Sequence, residues 1–450
     1  MSVLIDEKEY FNELVETKKI KQIKEILSHE NEFDIAEYME ELEPEKAILV
    51  FRLLSKDMAS DVFAELSVDM QKLIISHIND SDIKDIVEDL YVDDVVDMLE
   101  ELPANVVKRI LKNATPQTRN IINQFLKYDD DSAGSIMTAE YVALKKTMTV
   151  ADAINYIRKT GLDKETVYTC YVISGQRKLE GVLTLKDLIM NKDDVVVGDI
   201  MDTNIISAIT SEEQEAVALK FKKYDLIALP VVDHENRLVG IITADDIFDV
   251  MQEETTEDFE KMAAITPSEK PYLKTNTFSI FTHRIPWLLL LMISATFTGG
   301  IIMSYEEALG KFVVLTSFIP MLMDTGGNSG SQASVTVIRG LSLGEIEFSD
   351  IFKVLWKEIR VSALCGIVLA FANFIKLLII DRVSYSIAAV VCLTLFITVV
   401  AAKAIGCTLP MLAKKVGFDP AVMASPFITT IVDALSLIIY FRIACAILPI

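Results

Sequence analysis

Half of this 450-residue chain is hydrophobic (51%), yet 24% is charged and the net charge is −23. Those totals exclude an ordinary soluble protein, a bare membrane bundle and a disordered chain. Residues 271–450 hold 13 basic and 10 acidic side chains, so residues 1–270 hold 30 and 56, a net of −26. So acidic a part is poorly suited to nucleic acid or anionic lipid and well suited to multivalent cations.

Residues 43–126 contain a repeat of 12 residues, from EPEKAILVFRLL to TPQTRNIINQFL. Its eighth position is always apolar: Val50, Val62, Ile74, Ile86, Met98, Ile110 and Ile122. Each unit opens on polar capping residues or proline. The pattern predicts short helices, each with one buried stripe, stacked as an all-α superhelical domain. Such a domain is a scaffold or binding surface rather than an active site.

Residues 135–250 carry a second duplication. LEGVLTLKDLI is matched by LVGIITADDIF, and each half reads strand, helix, strand, strand, helix. This α/β arrangement resembles a tandem pair of CBS modules. The resemblance implies an adenine nucleotide such as ATP near Thr184, Asp187, Thr243 and Asp246, although the same residues also suit helix capping.

Residues 246–264 read as one long acidic helix. Asp246, Asp249, Glu253, Glu254, Glu257 and Glu260 recur at helical spacing, with Asp245 and Asp258 beside them. Like charges one turn apart oppose each other. Either the face is simply solvated, or it takes its countercharge from divalent cations bound through oxygen and water.

Five stretches have spanning length: 285–305, 312–338, 361–380, 383–402 and 420–441. Nine basic residues, Lys270 and Lys274 among them, flank one side and four flank the other. That imbalance predicts a cytoplasmic N-terminus and an extracytoplasmic C-terminus in the plasma (inner) membrane. No signal peptide is visible at the acidic, mixed start. Lys376, Lys403 and Arg442 read as snorkelling residues near span ends.

Two features interrupt the apolar pattern. The segment PMLMDTGGNSGSQ sets Asp324, Asn328 and Gln332 among Gly326, Gly327 and Gly330. Small residues permit close helix packing, but the polar ones suit the lining of a cavity or pore. Asp433 lies in the last span, with Ser425, Thr429, Thr430, Ser436 and Tyr440 on its stripe. A carboxylate at that depth marks an ion or proton path, unless it is held neutral in a helix–helix hydrogen bond.

Together these residues resemble the MgtE family of magnesium channels and transporters. The likeness spans nearly the whole chain. Its most specific elements are P-x5-GGN-x-G-x-Q, beginning at Pro320, and DPA-x4-P-x6-DA-x2-L-x-IY over 419–440. The resemblance implies a homodimer in the lipid bilayer with its pore on the two-fold axis. Asp433 would hold a hydrated Mg²⁺ there, with Thr429 beside it. It implies that cytoplasmic Mg²⁺ closes the pore by bridging Asp61, Asp93 and Asp97 of the helical domain, Glu215 and Asp225 of the CBS pair, Asp246, Asp249, Glu254, Glu257 and Asp258 of the connecting helix, and Asp419 at the membrane mouth. The sequence departs from the pattern at Asp324, where some members carry glycine.

The expected fold is multidomain: a helical-repeat domain at 1–130, a CBS pair at 131–250, an acidic connecting helix and linker at 246–275, and a five-helix membrane domain at 276–450. The expected function is Mg²⁺ import under feedback closure. A coupled Mg²⁺/cation exchanger and a non-transporting metal or nucleotide sensor are the alternatives. Enzyme activity has no support. No nucleophile–base pair, zinc spacing or phosphate-binding glycine loop appears, and His29, His77, His234 and His283 are scattered.

Overall fold

The computed structural model describes residues 2–268, 272–273, 275–423 and 425–448. Lys270 and Lys274, counted above for orientation, lie outside the described residues, as does the side chain of Ser425. The chain divides into two compact units, Met1–Val250 and Met251–Ile450.

In the first unit each 12-residue repeat forms one helix: Pro44–Phe51, Lys56–Ala64, Val68–His77, Asp80–Asp89, Val92–Glu101, Ala104–Asn113 and Pro116–Phe125. All seven residues at the eighth position are buried. The opening residues act as predicted. Asn79 accepts from the Ser81 and Asp82 amides, Thr115 accepts from Thr118, and Pro44 and Pro116 occupy first turns. Three more helices precede them, Ser2–Glu16, Ile20–Leu27 and Glu32–Glu40. A helix packs mainly on the next but one, which builds a two-layered superhelix.

The CBS pair has two three-stranded sheets. The first is β1 (Val142–Leu144), β2 (Thr169–Ile173) and β3 (Leu179–Thr184); the second is β4 (Ala208–Ile209), β5 (Ala228–Val232) and β6 (Leu238–Thr243). In each the first strand pairs parallel and the third antiparallel to the middle one. Both carry the same irregularity, at Val172/Ile173 and at Val231/Val232. The duplication therefore extends to strand register. Gly181 and Gly240 are needed for close approach: an added Cβ would stand 2.4 Å from Met201 Sδ or 2.6 Å from the Thr138 carbonyl oxygen.

The acidic helix runs Ala244–Met262, with only Ile247 and Val250 buried. Among the described residues of the second unit, four segments are long and apolar enough to cross a membrane: Thr277–Ser304, Phe348–Ile379, Tyr385–Val416 and Pro420–Ile447. A further helix, Ile319–Ser342, has 24 residues. At 1.5 Å per residue it is about 36 Å long, enough for a bilayer core. Its polar and glycine content keeps its hydropathy below that of the other four. The sequence placed the start of this span at residue 312, but the helix begins at Ile319, with Pro320 in its first turn.

The glycine-rich helix packs against Tyr385–Val416 and against the last helix, Ser425–Ile447. A Cβ on Gly406 would stand 2.2 Å from the Gly330 carbonyl oxygen, so these two backbones are in direct contact. Lys414 Nζ donates to the Leu341 carbonyl at 2.9 Å and so caps the C-terminal end of the glycine-rich helix. Of the helix Thr277–Ser304, only Thr298 is buried.

Candidate functional site

The glycine-rich helix has two faces. Gly326, Gly327, Gly330, Ala333 and Ser334 are buried, whereas Asp324, Asn328 and Gln332, one turn apart, are exposed. The glycines serve contact: Gly326 meets Thr398, Ser436 and Val432, and Gly327 meets Thr429. Close packing and a polar lining thus coexist on one helix, on opposite sides.

The polar side joins Asp433. One cavity of about 450 Å³ is lined by Ile319, Pro320, Met323, Asp324, Gly327 and Asn328 from the start of the glycine-rich helix, and by Thr429 and Asp433 from the last helix. Thr429 and Thr430 both donate to the Pro426 carbonyl, at 2.9 and 3.0 Å, which leaves their oxygens free to accept. The expected oxygen-rich stripe is shorter than its helical spacing suggested. Ser436 is buried and donates to the Val432 carbonyl, and Tyr440 is buried with its hydroxyl on the Leu315 carbonyl.

A second cavity, of about 570 Å³, is lined by Asp324, Thr325, Asn328, Ser329 and Gln332, by the apolar wall Leu364, Cys365, Val368 and Leu369, and by Lys403. Lys403 does not snorkel. Its side chain is 7% exposed in the middle of Tyr385–Val416, and its Nζ lies 4.0 Å from Glu358 Oε2. Spacing along one helix could not reveal this pair, because its members lie on two helices. Lys376 is at a helix end, as expected, and pairs with Asp381 at 2.9 Å.

The first unit also crowds one set of carboxylates together. Burial, and then Asp94, Asp246, Glu165 and Glu140, hold Asp93 well above the usual carboxylate range. Its Oδ1 is buried with no hydrogen-bond partner. Burial, followed by Asp246, Glu65, Glu140 and Asp245, pushes Asp94 up to about 6. Burial, followed by Asp245, Asp246, Asp94 and Glu140, pushes Glu165 up to about 7. Asp246 is raised by burial, against the opposing bond from Thr243. Asp61 is raised by burial and then by Glu32, Asp57 and Asp89. Among the described residues no lysine or arginine pairs with Asp93, Asp94 or Glu165. Sequence reasoning found Asp93 and Asp246 but missed Asp94, Glu140 and Glu165, which are distant in the chain or on no periodic face.

Other expected sites are less concentrated. Asp97 is exposed one turn beyond Asp93. Glu215 and Asp225 stand at opposite ends of the helix Gln214–Tyr224, about 15 Å apart by helical rise. Thr184 and Asp187 form a reciprocal capping box, and Thr243 donates to Asp246 at 2.7 Å. Asp249 is exposed on the acidic helix and Glu254 is half-buried.

Near the far end of that helix, Asp258 accepts from the Ser342 hydroxyl at 3.2 Å. Burial, then Asp419, raises Asp258. Lys261, absent from the expected site, binds Glu257 at 2.6 Å and Asp419 at 2.7 Å. Burial works against its charge, but these two bonds prevail and raise it. Among the described residues no three His, Cys, Asp or Glu side chains converge closely enough to hold an ion by themselves. The orphaned Asp93 oxygen and the unpaired acids around it suit a cation that keeps its waters and bridges carboxylates two at a time.

The fold and the sites define a class: a polytopic membrane protein with a polar cavity among its apolar helices and an acidic first unit. The chain belongs to the MgtE family, described as divalent cation transporters. That family model matches residues 319–443, the MgtE intracellular N domain matches 30–131, and CBS domains match 133–193 and 197–253. The magnesium transporter MgtE of Thermus thermophilus is 34% identical over 73% of this chain and 73% of its own length. That of Bacillus subtilis is 38% identical over 72% and 71%. Among solved structures, the cytosolic domain of the Mg²⁺ channel MgtE in complex with ATP superposes with TM-score 0.51 at 34% identity, covering 53% of this chain and 98% of that one. The soluble part of a magnesium transporter gives 0.52 at 28% identity, covering 56% and 99%.

Proposed function

We propose that this protein is a magnesium channel or transporter that admits Mg²⁺ to the cytoplasm and closes when cytoplasmic Mg²⁺ is plentiful. The observation that carries the reading is the cavity where Asp433 and Thr429 meet Asp324, Gly327 and Asn328. Its carboxylates and oxygens can receive a hydrated divalent ion without stripping its water. The relatives named as magnesium transporters support the choice of ion.

The chain crosses the plasma membrane five times, with its N-terminus in the cytoplasm and its C-terminus outside, and works as a homodimer whose two Asp433 residues share one pore. It is not an enzyme. Mg²⁺ closes the gate by bridging acids of the helical domain (Asp61, Asp93, Asp97), the CBS pair (Glu215, Asp225), the connecting helix (Asp246, Asp249, Glu254, Glu257, Asp258) and the membrane mouth (Asp419). Asp61, Asp93, Asp246 and Asp258, raised first by burial and then by neighbouring acids, supply the drive, since each bridging ion offsets both. Adenine nucleotide such as ATP binds the CBS pair near Thr184, Asp187, Thr243 and Asp246, a reading supported by the related cytosolic domain solved in complex with ATP.

Uptake of Mg²⁺ into proteoliposomes tests both halves. Wild type is compared with Asp433→Ala, at low and at millimolar Mg²⁺ on the cytoplasmic face. The expected result is uptake that is lost in the variant and suppressed at high cytoplasmic Mg²⁺. Full uptake by Asp433→Ala would mean that the ion path lies elsewhere.

A further inference from the structure

We infer that Lys403 sets how tightly the ion path holds a divalent cation. The inference rests on the reading of Asp433 as part of that path. Asp324 and Asn328 line both cavities, so the space that Lys403 lines adjoins the one that holds Asp433. Lys403 is 7% exposed and Glu358 15% exposed, and among the described residues no other carboxylate lies within 4.0 Å of the ammonium. The facing wall is Leu364, Cys365, Val368 and Leu369. Charges beside such a wall are screened far less than at a protein surface.

Charge accounting gives the ammonium a purpose. In each protomer Asp324 and Asp433 line the two cavities and Glu358 pairs with Lys403, so three negative charges and one positive leave a net of −2 per protomer. One divalent cation neutralises it. With Lys403 removed the net would be −3, and a single Mg²⁺ would sit in a well too deep to leave quickly. With Glu358 neutral the net would be −1, and Mg²⁺ would be held weakly. Conduction needs an ion that binds and then departs. The buried pair adjusts the field of the path without obstructing it.

The test is Mg²⁺ flux in proteoliposomes, read as half-saturating Mg²⁺ and maximal rate, for wild type, Lys403→Met, Glu358→Gln, the double variant and Asp433→Ala. Lys403→Met is expected to lower the half-saturating concentration by about tenfold and to reduce the maximal rate. Glu358→Gln is expected to raise it by about tenfold. The double variant restores the net of −2 and is expected within about twofold of wild type. Should Lys403→Met not fold, Glu358→Gln against the double variant makes the same comparison. Single variants that shift half-saturation in the same direction, or a double variant as altered as either single, would overturn the inference and leave the pair a packing element. Asp433→Ala keeps the two questions apart. If it retains flux, the path reading has failed; if it loses flux while the charge variants keep wild-type half-saturation, only the role of Lys403 has failed.

Discussion

Single residues here act chiefly through charge. Lys261 is the clearest case after Lys403. Its ammonium occupies the place between Glu257 and Asp419 where the family resemblance sets a metal ion. A tethered cation there ties the acidic helix to Asp419 without any metal ion. Lys261→Met is therefore expected to raise Mg²⁺ flux at low cytoplasmic Mg²⁺ by about two- to fivefold, the worth of a partly exposed ion pair. Closure at millimolar Mg²⁺ is expected to persist, and an unchanged low-Mg²⁺ flux would remove Lys261 from the gate. Neither Lys261 nor the Lys403–Glu358 pair was visible in the sequence. Asp433 was, because one acid in an apolar run is conspicuous by itself, whereas a countercharge acquires meaning only when a second helix brings its partner.

Elements were legible in proportion to their periodicity. The 12-residue units became helices one for one because a buried residue recurs at a fixed place in each. The CBS halves were legible because a duplicated stretch reports its own strand order. The glycine-rich helix was only half legible. Composition showed that packing and polarity were both present, but not that they occupy opposite faces. Its contact with Tyr385–Val416 depends on two glycines meeting, and an added Cβ on Gly406 would stand 2.2 Å from the Gly330 oxygen. Gly406→Ala is expected to destabilise the membrane unit by about 1–3 kcal/mol through overpacking. The thermal unfolding of the detergent-solubilised chain measures this. Wild-type stability would show that the helices can part without loss. The stripe on the last helix was over-read, since Ser436 and Tyr440 satisfy themselves on backbone carbonyls and turn from the cavity.

At the scale of the molecule, acidity is unequally placed, and protons and Mg²⁺ are expected to compete for the same groups. Asp94 and Glu165 are pushed up to about 6 and about 7, chiefly by burial and then by neighbouring acids. An acid whose pKa is raised by folding binds more protons folded than unfolded, so its contribution to stability falls as pH rises towards the raised value. Without divalent ions, the cytosolic-type half is expected to resist proteolysis better at about pH 5.5 than at about pH 8, with the change complete near pH 7. Mg²⁺ is expected to protect strongly at the higher pH and weakly at the lower, where protons already occupy its partners. Equal protection by Mg²⁺ at both would show that these acids do not take part. The superhelix adds a rule of parity. Because a helix packs mainly on the next but one, successive repeats alternate between two layers. Excising one repeat would send every later helix to the opposite layer, whereas excising two adjacent ones keeps each on its own side. Length in this domain can therefore change in steps of two repeats, and a single-repeat change rewrites the surface that the domain shows to its surroundings.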